Sequence, residues 1–84
     1  PDTSWTARLL ANPGKAAEKF GEEAVEAIIE AVKGDRAALT AEAADALYPL
    51  LVMCAARDVS LADIEAELAK RQSQSGISEK ASRP

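Results

Sequence analysis

The sequence contains no histidine and only one cysteine, Cys54, among its 84 residues. Without histidine the chain cannot form a serine–histidine or cysteine–histidine nucleophilic pair. The same scarcity leaves no donor set for a structural zinc site. A single thiol excludes an internal disulfide, and its position in an apolar run predicts a buried, unreactive side chain. This cysteine usage fits a reducing compartment, so a cytoplasmic location is expected.

Aromatic residues are also scarce, at 4% of the chain, and much of the 48% hydrophobic content is alanine. Alanine-rich helices pack closely, but each buries little area, and burial stabilises by roughly 25 cal/mol per Å². A chain this short therefore has a thin core as a monomer. Association of copies is the simplest remedy, which predicts a homodimer or a higher homo-oligomer.

The chain has fewer basic than acidic residues: 10 lysines and arginines and 14 aspartates and glutamates give a net charge of −4. This balance argues against non-specific binding to nucleic acid or to an anionic membrane surface. It is compatible with a phosphate substrate, because bound metal ions invert the local sign. No uninterrupted apolar run reaches the roughly 20 residues of a membrane span; the longest, residues 46–56, is too short.

Apolar residues recur at helical spacing throughout, without a strand pattern or an internal repeat. This periodicity predicts an all-α fold of antiparallel helices, a bundle completed by dimerisation. The predicted helices cover residues 4–11, 14 or 15 to 33, 36–57 and 61–72. Residues 1–72 form one helical domain in this interpretation, and residues 73–84 form a polar C-terminal tail. Residue types that favour helix ends mark the boundaries: Thr3 or Ser4, Gly34, Asp35 and Ser60.

The second and third predicted helices each carry an apolar side. On the second helix the apolar stripe consists of Phe20, Ala24, Ile28, Ala31 and Val32, with Val25 and Ile29 beside it. On the third helix the inner side is marked by Leu39, Leu47, Leu50, Leu51 and Cys54.

Pro49 lies inside the third predicted helix. There it removes a backbone N–H and clashes with the carbonyl of Asp45, at a cost of about 3 kcal/mol. One interpretation is a kinked single helix; the other is a helix that ends at Tyr48 and a new one that begins at Pro49. The apolar periodicity continues across Pro49 and favours the kinked single helix.

Two pairs of carboxylates occur at helical spacing. Glu23 and Glu26 are three residues apart on the second helix, and Glu42 and Asp45 repeat that spacing on the third. If the two helices pack antiparallel, the pairs face each other and form an oxygen-lined cage suited to Mg²⁺ or Mn²⁺.

The alternative is a solvated acidic surface, the usual origin of charge runs on helices. Under this alternative, nearby glutamates form ion pairs with lysines one turn away, each worth about 0.2–0.5 kcal/mol. The pairs would join Glu18, Glu22 and Glu30 with Lys15, Lys19 and Lys33, respectively.

Four segments together resemble a known enzyme family. They read KFGEEAVEAIIEAVKGD, EAADALY, LLVMCAARDVSLADIEAEL and RQSQSGISEKASR. The chain resembles the phosphoribosyl-ATP pyrophosphohydrolases of histidine biosynthesis, which are all-α enzymes of the MazG-like group. The pattern E-x-x-E followed by E-x-x-D is shared by the whole group. The opening DTSWTARLL and the closing SGISEKASR point to this family within it.

The resemblance implies hydrolysis of phosphoribosyl-ATP to phosphoribosyl-AMP and pyrophosphate, with Mg²⁺ or Mn²⁺ as cofactor. It implies Glu22 as a ligand through water or as the general base. The implied metal ligands are Glu23, Glu26, Glu42 and Asp45, and the candidate phosphate contacts are Lys15, Lys19, Lys80 and Arg83. For Lys15 and Lys19 the alternative role is a helix-surface ion pair. For Lys80 and Arg83 the alternative is membership of a solubilising tail.

Two features depart from the family's pattern. The family usually reads YHLL where this chain reads YPLL, so Pro49 replaces a histidine. A kink that displaced Asp45 would impair activity, because about 1 Å of misplacement costs on the order of 10²-fold. The resemblance also implies an additional helix on the N-terminal side of this sequence.

Two other functions compete with the implied one. The first is a housecleaning enzyme of the same group that hydrolyses other nucleoside triphosphates by the same chemistry. The second is a non-catalytic helical dimerisation module.

Overall fold

The computed structural model describes residues 4–74. Within that range it contains helices and no strand, which confirms the all-α class. The four helices are α1 (Trp5–Ala11), α2 (Pro13–Lys33), α3 (Arg36–Ala56) and α4 (Leu61–Gln74).

The helix ends follow the predicted capping residues. The Ser4 hydroxyl accepts a hydrogen bond from the N–H of Ala7 at 3.0 Å and begins α1. Gly34 adopts φ 80° after the last turn of α2, a left-handed conformation that costs glycine little. Asp35 then caps α3, with its carboxylate accepting from the N–H of Ala38 at 2.9 Å. These caps fix a two-residue turn that folds α3 back along α2.

Two of the predicted helices are shorter than the observed ones. The second helix begins at Pro13 instead of residue 14 or 15, because the Asn12 side chain caps it and proline suits the first helical position. The last helix continues to Gln74 instead of ending at Gln72. Its polar composition suggested a tail, yet glutamine is a good helix former, and the Ser73 hydroxyl donates to the carbonyl of Lys70 at 2.8 Å. The rest of the predicted tail lies outside the described residues.

Helix α3 is continuous through Pro49, which confirms the single helix. By length and mean hydropathy, 1.3, it is apolar enough to cross a membrane, a test that core helices of soluble proteins also pass. It packs along α2 and against α1. Its N-terminal half also carries Glu42 and Asp45. Within the described chain, 17% of its apolar window is buried, so much of its apolar surface is not covered by α1 and α2.

The core lies where α1 crosses the hairpin of α2 and α3. Leu9 of α1, Ala16 of α2 and Val52 of α3 are buried against one another, with Met53 packed beside them. The structure thus joins the first three helices at one end of the hairpin. Helix α4 makes few contacts with the other three.

The apolar sides of α2 and α3 are only partly covered. In α2, Ile28 is 62% exposed and Val32 is 83% exposed. In α3, Leu47 was expected on the inner side but is 49% exposed. Periodicity identified an apolar side correctly, but it did not tell which part of that side faces the neighbouring helix of the same chain.

Candidate functional site

Three of the predicted metal ligands lie together. Glu23 and Glu26 are on one side of α2 because they are three residues apart, and Glu42 reaches them from α3. One carboxylate oxygen from each residue lies within 4.8 Å of the other two. Glu23 and Glu42 are half-buried and Glu26 is exposed. The antiparallel hairpin therefore brings carboxylates of two helices to one place.

The electrostatics of Glu42 reflect this crowding. Partial burial raises the pKa of its carboxyl above the ordinary value. The negative charges of Glu26 and Glu23 raise it further, and those of Asp45 and Glu30 contribute in the same direction. Each of these effects disfavours the ionised form. The three carboxylates repel one another, and a bound cation would relieve that repulsion.

Asp45, the fourth predicted ligand, is outside this group of three oxygens. It lies one turn after Glu42 on α3 and lines a pocket of about 150 Å³ together with Glu23. That pocket runs from the carboxylates toward the core. Its lining residues are Trp5, Leu9, Lys19, Glu23, Asp45, Tyr48 and Pro49.

The lysines form the ion pairs that helical spacing predicted. Lys15 pairs with Glu18 at 3.1 Å and Lys19 with Glu22 at 3.5 Å. A third pair joins Lys33 to Glu30 at 3.7 Å. Both Lys19 and Glu22 are substantially exposed, so these contacts contribute little to stability.

Of the two predicted phosphate contacts that the structure describes, Lys15 and Lys19, one reaches the pocket. Lys19 lines it beside Glu23 and Asp45, whereas Lys15 is not among the lining residues. Glu22, the candidate general base, is not among the lining residues and pairs with Lys19 at 3.5 Å. Lys80 and Arg83 lie outside the described residues.

From the sequence, no site role was expected for Trp5, Leu9 or Pro49. For Tyr48 the sequence allowed stacking on a base, with a core or interface position favoured. The structure places all four in the pocket wall. Trp5 is the single tryptophan of the chain and lies within the quoted segment DTSWTARLL. The sequence offered one indication of a special role for Trp5, namely that the chain has few aromatic residues. Its position depends on how α1 crosses the hairpin, which no local pattern encodes.

The arrangement fits a divalent cation. The converging donors are all carboxylate oxygens, which suit Mg²⁺ or Mn²⁺ better than softer metals. Partial burial raises the pKa of Glu42 most, and the nearby carboxylates raise it further; a bound cation would counter both effects. Lys19 lies in the wall of the same pocket, so the site combines carboxylates that could hold a metal with a cation that could contact phosphate.

The chain is similar to known proteins along its whole length. The family described as phosphoribosyl-ATP pyrophosphohydrolase matches residues 1–72. The phosphoribosyl-ATP pyrophosphatase of Jannaschia sp. (strain CCS1) is 76% identical over 84 residues, which cover 99% of this chain and 82% of that protein. The enzyme of the same name from Dinoroseobacter shibae has the same identity and coverage. That of Paracoccus denitrificans is 74% identical, over 99% of this chain and 78% of that protein. No solved structure matches the chain.

Proposed function

The chain belongs to the phosphoribosyl-ATP pyrophosphohydrolase family, and we propose that it hydrolyses phosphoribosyl-ATP at the acidic site between α2 and α3. The products are phosphoribosyl-AMP and pyrophosphate, as in the histidine-biosynthesis step to which the family belongs. One observation carries the assignment of the site: carboxylate oxygens of Glu23, Glu26 and Glu42 lie within 4.8 Å of one another, and Glu23 also lines the pocket.

These three carboxylates would hold Mg²⁺, with Mn²⁺ as the alternative ion, and Asp45 would complete the set from the next turn of α3. When bound, the metal neutralises phosphate charge and lowers the pKa of a coordinated water. The carboxylates belong to two helices that are packed along their length, α2 and α3, and would hold the metal there. That rigid support is what in-line attack on a phosphate requires.

The remaining roles belong to side chains at the edge of the site. Lys19 is placed to contact the phosphates, exchanging its exposed contact with Glu22 for a stronger one with a polyanion. Glu22 is then free to accept the proton of the attacking water. The water oxygen bonds to the α-phosphorus, and the bond from that phosphorus to the bridging oxygen breaks. Pyrophosphate leaves with the electron pair of that bond.

A dimer is part of the proposal. The exposed apolar residues of α2 are Val25, Ile28, Ile29 and Val32, which share one side of the helix at spacings of three and four. Only four apolar residues are buried in the described part of the chain: Leu9, Ala16, Pro49 and Val52. A second copy that covered the α2 side would supply the missing burial, since a stable interface covers about 800 Å² per partner.

Pyrophosphate release from phosphoribosyl-ATP, measured with and without Mg²⁺, tests the function. We expect release that depends on the metal and is lost in EDTA. A panel of deoxynucleoside triphosphates run beside it tests the housecleaning alternative. Cleavage of those nucleotides with no action on phosphoribosyl-ATP would reject the proposal. If no nucleotide gave metal-dependent release of pyrophosphate, the non-catalytic dimerisation module would be the remaining function. A cytoplasmic enzyme is expected, with Cys54 as a reduced thiol.

A further inference from the structure

The residues that line the pocket beside the carboxylates are of two chemical kinds. Lys19, Glu23 and Asp45 are charged. The others are two aromatic and two aliphatic side chains from α1 and α3: Trp5, Leu9, Tyr48 and Pro49. A ligand that filled the pocket would therefore meet both charged and apolar groups.

The size of the pocket limits what it can hold. Pockets for whole small molecules measure roughly 300–1,000 Å³, and this one measures about 150 Å³. It therefore accommodates one part of a nucleotide, and the remainder must extend into solvent or along the carboxylates.

The aromatic rings are available to an occupant. Trp5 is 46% exposed and Tyr48 is 38% exposed, so neither residue is buried in the core. The Tyr48 hydroxyl is hydrogen-bonded to the hydroxyl of Thr6 on α1. That bond fixes the tyrosine ring at the pocket wall before any ligand arrives, which reduces the entropy lost on binding.

The side chains that line the pocket suit some parts of the substrate better than others. A ribose carries hydroxyl groups that lose hydrogen bonds against an apolar surface. Leu9 and Pro49 offer no side-chain partner, and Pro49 has no backbone N–H either. A purine, in contrast, presents planar faces that stack on aromatic side chains.

From this match we propose that the pocket is the subsite for the adenine ring of the substrate, with Trp5 and Tyr48 as its stacking surface. Lys19 lies at the junction between the ring and the metal-bound phosphates. The assignment rests on the proposed function, because it places the ring relative to the phosphates at Glu23 and Asp45. It adds two residues, Trp5 and Tyr48, that determine specificity for a purine-containing triphosphate.

Trp5 gives a direct readout, since it is the single tryptophan in the chain. We expect phosphoribosyl-AMP, added with Mg²⁺, to change the tryptophan fluorescence in a saturable manner. Inorganic tripolyphosphate, which has no ring, should bind in calorimetry and leave the emission nearly unchanged. An unchanged emission at saturating phosphoribosyl-AMP would overturn the subsite.

Two variants test the same point through kinetics. Trp5→Leu and Tyr48→Leu should each raise the KM for phosphoribosyl-ATP by about 5- to 150-fold, the range that loss of one base stack produces. The affinity for tripolyphosphate should stay within about twofold, and Trp5→Phe, which retains a ring, should recover most of the loss. Equal losses for both ligands would show a merely structural role and would contradict the proposal.

The two proposals fail separately. If the wild-type protein does not release pyrophosphate from phosphoribosyl-ATP, the proposed function is wrong. If it does so while Trp5 emission and the KM values of both variants are unaffected, the function stands and the adenine ring lies elsewhere.

Discussion

Glu42 on α3 faces Glu26 on α2, with one carboxylate oxygen of each within 4.8 Å of the other. The residues are 16 positions apart in sequence, and the turn at Gly34 and Asp35 brings them together. Two like charges at this distance repel each other, and partial burial, followed by the charges of Glu26 and Glu23, raises the pKa of Glu42. The protein therefore keeps at this place an arrangement that is unfavourable without a cation.

The variant Glu26→Gln should separate stability from activity. Removing one negative charge relieves repulsion at Glu42, so the Tm without divalent ions should rise. Pyrophosphate release should fall to background, because the glutamine oxygen is a weaker metal ligand than a carboxylate. The rise in Tm that Mg²⁺ causes in the wild type should also shrink. Calorimetry with and without Mg²⁺, together with a release assay, measures all three.

Glu65→Gln is the matched control, because it makes the same charge change on the exposed surface of α4. It should leave turnover and the response to Mg²⁺ as they are in the wild type. Full turnover in Glu26→Gln would move the metal site away from this cluster.

Much of the fold followed from short-range patterns. Ser4, Asp35 and Ser60 are residues whose side chains cap helices, and each does so here. The start of α2 was missed because Asn12 and Pro13 were interpreted as a break, although together they form a cap and a first helical residue. Local chemistry thus sets helix ends, and errors arise where two signals overlap.

The site could be predicted only in part. Helical spacing places Glu23 with Glu26, and a short turn between two helices places Glu42 opposite them. The position of Asp45 outside that group, and of Trp5 in the pocket, depends on the rotation of α3 and the crossing of α1. Those features come from packing among distant residues, which a single sequence does not display.

Two glycine substitutions should have opposite effects on stability. Gly34 has a positive φ of 80°, where an alanine side chain is strained although no atom lies within 4 Å of its Cβ. Gly34→Ala should cost about 1 kcal/mol. Gly21 lies within α2 with open space around it, so Gly21→Ala should stabilise by about 0.5–1 kcal/mol. Urea unfolding at one protein concentration measures both, and changes of the same sign would contradict these backbone conformations.

The start of α4 should respond to acid. The Asp63 carboxylate accepts from the N–H of Ser60 at 2.9 Å, while the Ser60 hydroxyl accepts from the N–H of Asp63 at 3.1 Å. The first of these bonds lowers the pKa of Asp63 most, and a side-chain hydrogen bond with Ser60 adds to it. Because the folded pKa is depressed, the stabilisation is complete above the ordinary value of about 4 and disappears as the pH falls through the folded value.

We therefore expect the first turn of α4 to fray below about pH 4, visible as faster exchange of the Ser60 amide by NMR. Asp63→Asn should show that faster exchange already at neutral pH and should lose the pH dependence. An amide that stays equally protected in the variant would contradict the reciprocal cap.

The exposed side of α2 predicts how the copies associate. Ile28 is 62% exposed and lies between Val25 and Val32 on that side. In a symmetric dimer Ile28→Glu changes both copies, and at about 2 kcal/mol for each the Kd should weaken roughly 1,000-fold. Sedimentation velocity at micromolar concentration should then show a monomer where the wild type shows a dimer.

Ala66→Glu is the matched control, because it adds the same charge to the exposed surface of α4, and it should leave the dimer intact. If the wild type already sediments as a stable monomer, the apolar side of α2 has some other partner, and the thin core must be stabilised in a different way.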